Sequence, residues 1–339
     1  MLSQVDVARK ARVSIMTVSR VINGRANVSR DTRERVLKAI RELSYFPNAA
    51  ARALSRNRAN VIEVTVPRRD YFSSSEYFSE LIFSVEAVVR QHDYNVIFNP
   101  YDPAGPVDYG VLFRQRKVDG LLIVARSMSQ QQVQSLFSEQ IAFVLVNSRR
   151  DDKGLSYVDV DNQKGAVMAV EYLWSLGHTK IAAMTGGTEA INSIHRLQGY
   201  RQALRRRGLP VREEWIIEGN WSEESGYEAF KKLADLADRP SAVFCANDLM
   251  AIGALRAAAD SAVAVPQDMS IMGFDDIRLA SFTNPRLTTI RQPIGQTGQA
   301  AATILLDLLS GRGAEPQKII LEPTLVVRSS CAARPKDFS

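Results

Sequence analysis

Cysteine and histidine are scarce in this chain, with two cysteines, Cys245 and Cys331, and three histidines among 339 residues. They have neither the number nor the spacing of a disulfide framework or a zinc site, so the thiols are expected to be reduced. No metal and no cofactor is expected. No apolar run reaches bilayer length, and the opening MLSQVDVARKARVS lacks the apolar stretch and small-residue cleavage site of a secretory signal. A cytoplasmic protein with no membrane partner is therefore expected. Catalytic constellations are missing as well: no glycine-rich loop ends in Lys-Ser/Thr, and Asp275-Asp276 with Gly186-Gly187, the best candidates for chemistry, assemble none. An enzyme is not expected.

What is present is ordinary globular material, 45% hydrophobic and 24% charged, in a chain longer than one usual domain. Its charge is unevenly placed. Residues 1–60 hold 13 Lys/Arg against 4 acids, a surplus of 9, whereas the net charge of the whole is +6, so the remaining residues sum to −3. A basic head on a mildly acidic body is the footprint of a nucleic-acid-binding module joined to something that is not one.

Three short helices are predicted in the head. Ser3 caps one carrying Val5, Ala8 and Ala11, and Ser14 caps one carrying Val18, Val21 and Ile22 that Asn23-Gly24 ends; Ser29 caps one carrying Val36, Ile40 and Leu43. None is long enough to stand alone. Only Arg12-Val13-Ser14 separates the first two, the turn length of a helix-turn-helix. A second helix in a major groove presents Ile15, Met16 and Arg20 to base edges: Arg20 bonds guanine bidentately, and the apolar pair meets a thymine methyl. Ser14, Thr17, Asn23 and Arg25 are placed to hold phosphates. Pro47-Asn48 then resets the chain before an alanine-rich segment that suits a conditional hinge.

From residue 60 short β-branched runs (61–66, 95–98, 120–124, 142–146, 181–184, 242–245, 270–272) alternate with helical stretches (77–92, 129–138, 164–176, 193–207, 223–237, 248–260, 295–310). Parallel sheets flanked by helices follow, with strands enough for two lobes. Ligands of such sheets sit beyond the carboxyl ends of strands.

The stretch DVARKARVSIMTVSRVINGRANVSRDTRERVLKAIRELSYFPNAAARAL resembles the headpiece of the lactose/galactose repressor family. VDVDNQKGA, EYLWSLGHTKIAAMTGG, RLQGYRQAL, FCANDLMAIGALRA and SIMGFDDIRLASFTNPRLTTIRQPI extend the likeness over essentially the whole chain. The resemblance implies an α/β protein with a three-helix helix-turn-helix headpiece and a two-lobed periplasmic-binding-protein-like core. The divisions expected are a headpiece at 1–45, a hinge at 46–59, one lobe from 60–162 with 291–320, a second from 163–290 with 321–330, and a tail at 331–339. It also implies that Leu54 wedges into the minor groove beside Ala51. By the same likeness the effector site holds Tyr77, Phe78, Asn192, Arg196, Trp221, Asn247, Asp275 and Gln292. That chemistry suits a polyol: Asp275 accepts from neighbouring hydroxyls, Arg196 and Asn247 donate, and an aromatic face covers apolar C–H groups. Asn247 and Asp275-Asp276 are equally suited to capping helices. Asp161 and Asn162 fall near a lobe crossover, and His178 reads as structural.

The function implied is an operator-binding transcription regulator, a repressor by default, acting as a homodimer on a pseudo-palindromic operator under control of a sugar-like effector. A nucleoside or purine effector, or a vestigial pocket, stays open as an alternative. No heptad zipper follows Ser329. Two features depart from the pattern: the loop at 67–76 is long and has Ser75-Glu76 where the family has Asn-Pro, and Glu63 interrupts a run expected to be a buried strand.

Overall fold

The computed structural model describes residues 2–22, 27–45, 58–68, 76–102, 105–124, 128–187, 190–313 and 315–334. Asn23, Gly24, Arg25, Ala51 and Leu54, with most of the expected hinge and of the long loop, lie outside them. Contacts divide the chain into two compact units, Met1–Val61 with Leu112–Asp119, and Ile62–Val111 with Gly120–Ser339.

In the first unit three helices, α1 (Gln4–Ala11), α2 (Ile15–Ile22) and α3 (Arg30–Glu42), bury one small core of Val7, Ala8, Ala11, Val18, Val21, Val36, Ala39 and Tyr45. Each start is capped as the sequence predicts: Ser3 closes a capping box with Asp6, Ser14 Oγ accepts from Thr17 N at 3.1 Å, and Ser29 Oγ accepts from Thr32 N at 3.4 Å. The face of α1 differs from the expectation. Val5 is 45% exposed and Val7 takes the inward position, because 7, 8 and 11 form the stripe one turn long that the other helices can cover. Arg12 ends α1 in the left-handed region at φ 57°, and Val13 N donates back to Ala8 O, which makes the tight turn into α2.

The second unit is built on two six-stranded sheets. The first comprises β1 (Val61–Pro67), β2 (Asn95–Tyr101), β3 (Gly120–Val124), β4 (Ala142–Val146), β5 (Tyr157–Val160) and β11 (Lys318–Leu321), in the order β11-β5-β4-β3-β1-β2. The second comprises β6 (Ile181–Thr185), β7 (Ile216–Glu218), β8 (Ala242–Cys245), β9 (Ser270–Asp275), β10 (Thr288–Arg291) and β12 (Thr324–Val326), in the order β12-β10-β9-β8-β6-β7. Both repeat one winding, with the first strand of each lobe between the second and third. The pairing is parallel in β1–β3, β3–β4, β6–β8 and β8–β9, and antiparallel in β10–β12. The chain passes between lobes after β5, after β10 and after β11.

Helices α4 (Glu76–Val89) and α11 (Ile294–Leu309) cover one face of the first sheet, burying Ile62, Val64, Val66, Leu81, Val85 and Leu305. In the second lobe α7 (Asn162–Ser175) and α8 (Ile191–Arg206) cover one face around Val170, Tyr200 and Phe274, and α9 (Glu223–Ala234) with α10 (Asp248–Asp260) cover the other around Phe230 and Met250. The remaining α-helices among the described residues are α5 (Val111–Arg114) and α6 (Gln130–Ser138). Among the described residues no helix is long and apolar enough to cross a membrane.

Glu63 occupies the face of β1 opposite the valines. Its Oε1 accepts from Asn99 Nδ2 at 2.7 Å, its Oε2 has no hydrogen-bond partner among the described residues, and burial raises its pKa. A protonated carboxyl is the form that such a site favours. Cys245 and Cys331 are free and buried, and burial pushes the Cys331 thiol up to about 12.

Candidate functional site

The carboxyl ends of both sheets open on one cavity. It holds about 650 Å3 of free space, its open mouth included. Every strand-end loop that reaches it follows the rule for doubly wound sheets. Pro67 ends β1, Asn147 follows β4, Asn192 follows β6, Trp221 follows β7, Asn247 follows β8, Asp275 ends β9 and Gln292 follows β10. Tyr77 and Phe78, from the first turn of α4, and Arg196, from α8, also line it, with Ala190, Leu249 and Ile277. All eight residues expected at an effector site are thus brought together.

Asp275 is the most constrained of them. It is 7% exposed, accepts from the Gln292 side-chain amide, and lies 3.6 Å from Arg196 Nη1. Burial outweighs both partners and pushes its carboxyl up to about 6, and burial likewise lowers the pKa of Arg196. The guanidinium is fixed on every side: Nε donates to Asn162 Oδ1 at 2.8 Å, Nη1 donates to the Ala246 carbonyl, and the Phe274 ring lies 3.7 Å below its central carbon. Asn162 in turn donates to Asp159 Oδ1 at 3.2 Å, and Asp159 Oδ2 accepts from Arg149 Nε at 2.6 Å. A polar chain therefore runs from the cavity to the first crossover, where Asn162 was expected to lie.

The backbone is strained at the cavity. Asn147 (φ 56°), Trp221 (φ 76°), Asp275 (φ 124°) and Asp276 (φ 60°) all lie at positive φ, conformations costing about 1–3 kcal/mol each that cluster where geometry serves function. The two adjacent aspartates diverge. Asp276 turns from the cavity and accepts from Arg291 Nε and Arg328 Nη2, both at 2.6 Å. Asn247 caps α10 through its Oδ1, which accepts from Met250 N at 3.0 Å, and its side chain also lines the cavity, with Nδ2 donating to Trp221 O at 2.9 Å. The neighbouring Asp248 accepts from Thr289 Oγ1 and Ile277 N, a wholly internal arrangement.

Asn147 was not anticipated from the sequence. Its Nδ2 donates to Tyr77 Oη, while its Oδ1 is buried with no hydrogen-bond partner among the described residues. Its position, one residue beyond a β-branched run, was the available signal. His178 is structural as expected, held between Ser241 Oγ at 2.9 Å and Ser270 Oγ at 3.0 Å.

On the head, Ile15 and Met16 are 49% and 65% exposed on the outer face of α2, with Arg20 Nη2 3.6 Å from Met16 Sδ. Val18 and Val21 fill the inward face. Ser14 and Thr17 lie at the start of the same helix, hydrogen-bonded to each other at 2.9 Å.

Residues 5–48 match the family described as bacterial regulatory proteins, lacI family, and residues 170–331 match a periplasmic binding protein-like domain. The sequence is 38% identical to the HTH-type transcriptional repressor PurR of Klebsiella pneumoniae strain 342, over 97% of each chain. The chain belongs to the lacI family. Among solved structures of this lacI-family fold, the lac repressor dimer bound to operator and the anti-inducer ONPF superposes with a TM-score of 0.87 at 29% identity, covering 98% of this chain and 99% of that one. A transcriptional regulator CelR–cellobiose complex superposes at 0.74 with 30% identity, covering 97% and 100%. This lacI-family chain is a DNA-binding transcription regulator with an effector-binding core, and not an enzyme.

Proposed function

We propose that the protein is a repressor whose affinity for a pseudo-palindromic operator, bound as a homodimer, is set by a sugar or sugar derivative in the interlobe cavity. The observation that carries the effector reading is the buried Asp275 carboxylate, held beside Arg196 and Gln292 in a cavity walled by Tyr77, Phe78 and Trp221. A sugar ring offers what this surface takes: adjacent hydroxyls for one carboxylate and a C–H face for an aromatic ring. The cellobiose-bound relative supports a carbohydrate. A nucleoside or nucleobase is the second reading, favoured by the number of aromatic walls.

On the head, Arg20, Ile15 and Met16 read base edges while Ser14 and Thr17 hold phosphates. Effector and operator affinities are reciprocally coupled. The test is a thermal-shift screen of the full chain against monosaccharides, sugar phosphates, polyols, nucleosides and purines, repeated on Asp275→Asn. A stabilising sugar whose effect vanishes in the variant supports the proposal; a response to purines alone replaces it with the second reading. No response across the panel removes the effector assignment.

A further inference from the structure

Tyr77 packs against the core of the first lobe and also against the α9–α10 core of the second, so one ring bridges the cavity. Its neighbour Glu76, the first residue of α4, reaches across as well: Glu76 Oε2 accepts from Leu279 N at 3.1 Å, joining residues 203 apart in sequence. Leu279 belongs to a short 3-10 turn, Arg278–Ser281, that begins at Ile277. Ile277 lines the cavity, and its side chain cannot cap the turn. A turn start leaves unpaired N–H groups that an acid satisfies well. Here the second lobe has no local cap, and the first lobe supplies one. The bond is exposed, whereas residues next to it on both sides line the cavity, which places it at the rim.

We propose that Glu76 is a clasp that holds the two lobes together at the rim of the cavity, so that widening the cleft requires the Glu76–Leu279 bond to break and Tyr77 to leave the second-lobe core. Closure then costs no local cap and gains one charge-assisted hydrogen bond; opening returns both groups to water. The clasp takes its regulatory meaning from the cavity being the effector site, but its existence does not depend on what binds there.

The test needs no effector. The chain has three tryptophans: Trp174 is 36% exposed, Trp215 is 2% exposed, and Trp221 lines the cavity at 8%. In the full-length Trp174→Phe protein, acrylamide quenching reports access to Trp221. Glu76→Ala is expected to raise the open-to-closed ratio about five-fold and the quenching constant with it, Glu76→Gln to give an intermediate rise, and Glu80→Ala, one turn along the same exposed face, to give none. Quenching at the parental level in folded Glu76→Ala and Glu76→Gln, or an equal rise in Glu80→Ala, overturns the clasp. Either result leaves the sugar assignment standing, because that is decided by Asp275→Asn in the ligand screen.

Discussion

A Cβ on Gly186 would come within 2.2 Å of the Trp221 indole carbons Cε2 and Cζ2. The glycine after β6 is thus the floor on which the Trp221 ring lies, and Trp221 is held there at positive φ by the Asn247 amide on its carbonyl. Gly186→Ala is expected to displace the ring, costing about 1–3 kcal/mol of stability as an overpacked site does. It should abolish the thermal shift given by whichever sugar stabilises the parent while operator binding persists. A normal shift in the variant would show that Trp221 is not part of the binding wall.

Much of this arrangement was legible before the structure. Helix α10 was placed at 248–260, its observed bounds, because Asn247 caps a long apolar-periodic segment and nothing competes with it. The strands that were missed lack that clarity. In β5, Asp159 looks like a solvent-facing residue but is buried against Arg149, so a period-2 reading finds no apolar run; β7 and β12 have only three residues each. β10 lies in a segment whose prolines suggest loop, yet Thr288 and Thr289 are fully buried between β9 and β12. The clasp was hidden for another reason: no local pattern signals a side chain capping a turn 203 residues away.

His178 makes stability depend on pH. Its Nε2 lies 3.1 Å from the Ala332 carbonyl and 3.0 Å from Ser270 Oγ, so Nε2 carries the proton and Nδ1, 2.9 Å from Ser241 Oγ, is the unprotonated nitrogen. Burial lowers its pKa, which means that the unfolded chain takes up a proton the folded one refuses. This contribution is complete above the ordinary histidine value and is lost as pH falls below it. Urea midpoints at pH 7.5 and 5.5 should therefore differ more for the parent than for His178→Gln; equal differences would place the acid sensitivity elsewhere.

Arg20 stands exposed on the outer face of α2, where a guanidinium is free to choose between a base edge and a phosphate. If it reads guanine, Arg20→Ala should cost about 1–3 kcal/mol on a site selected from random sequence and much less on unselected DNA. Gel-shift titrations on both DNAs at one salt concentration separate the two roles. Equal losses would reassign Arg20 to the phosphates.

Asp275 gives the effector response a pH limit. With its carboxyl pushed up to about 6, the ionised form is complete only above that pH, and a sugar hydroxyl donates to the ionised form. Affinity for a stabilising sugar should be flat from pH 8 to about 7 and then weaken as pH falls through about 6, approaching ~10-fold per unit. Asp275→Asn should bind more weakly between pH 7 and 8, by about 1.5–3 kcal/mol for a lost charged hydrogen bond, and show no such slope, so that the gap to the parent narrows as pH falls through about 6. Calorimetric titrations across pH 5 to 8 measure both. A slope that survives in Asp275→Asn would assign the titration to another group, with His195, whose pKa burial lowers, as the next to substitute.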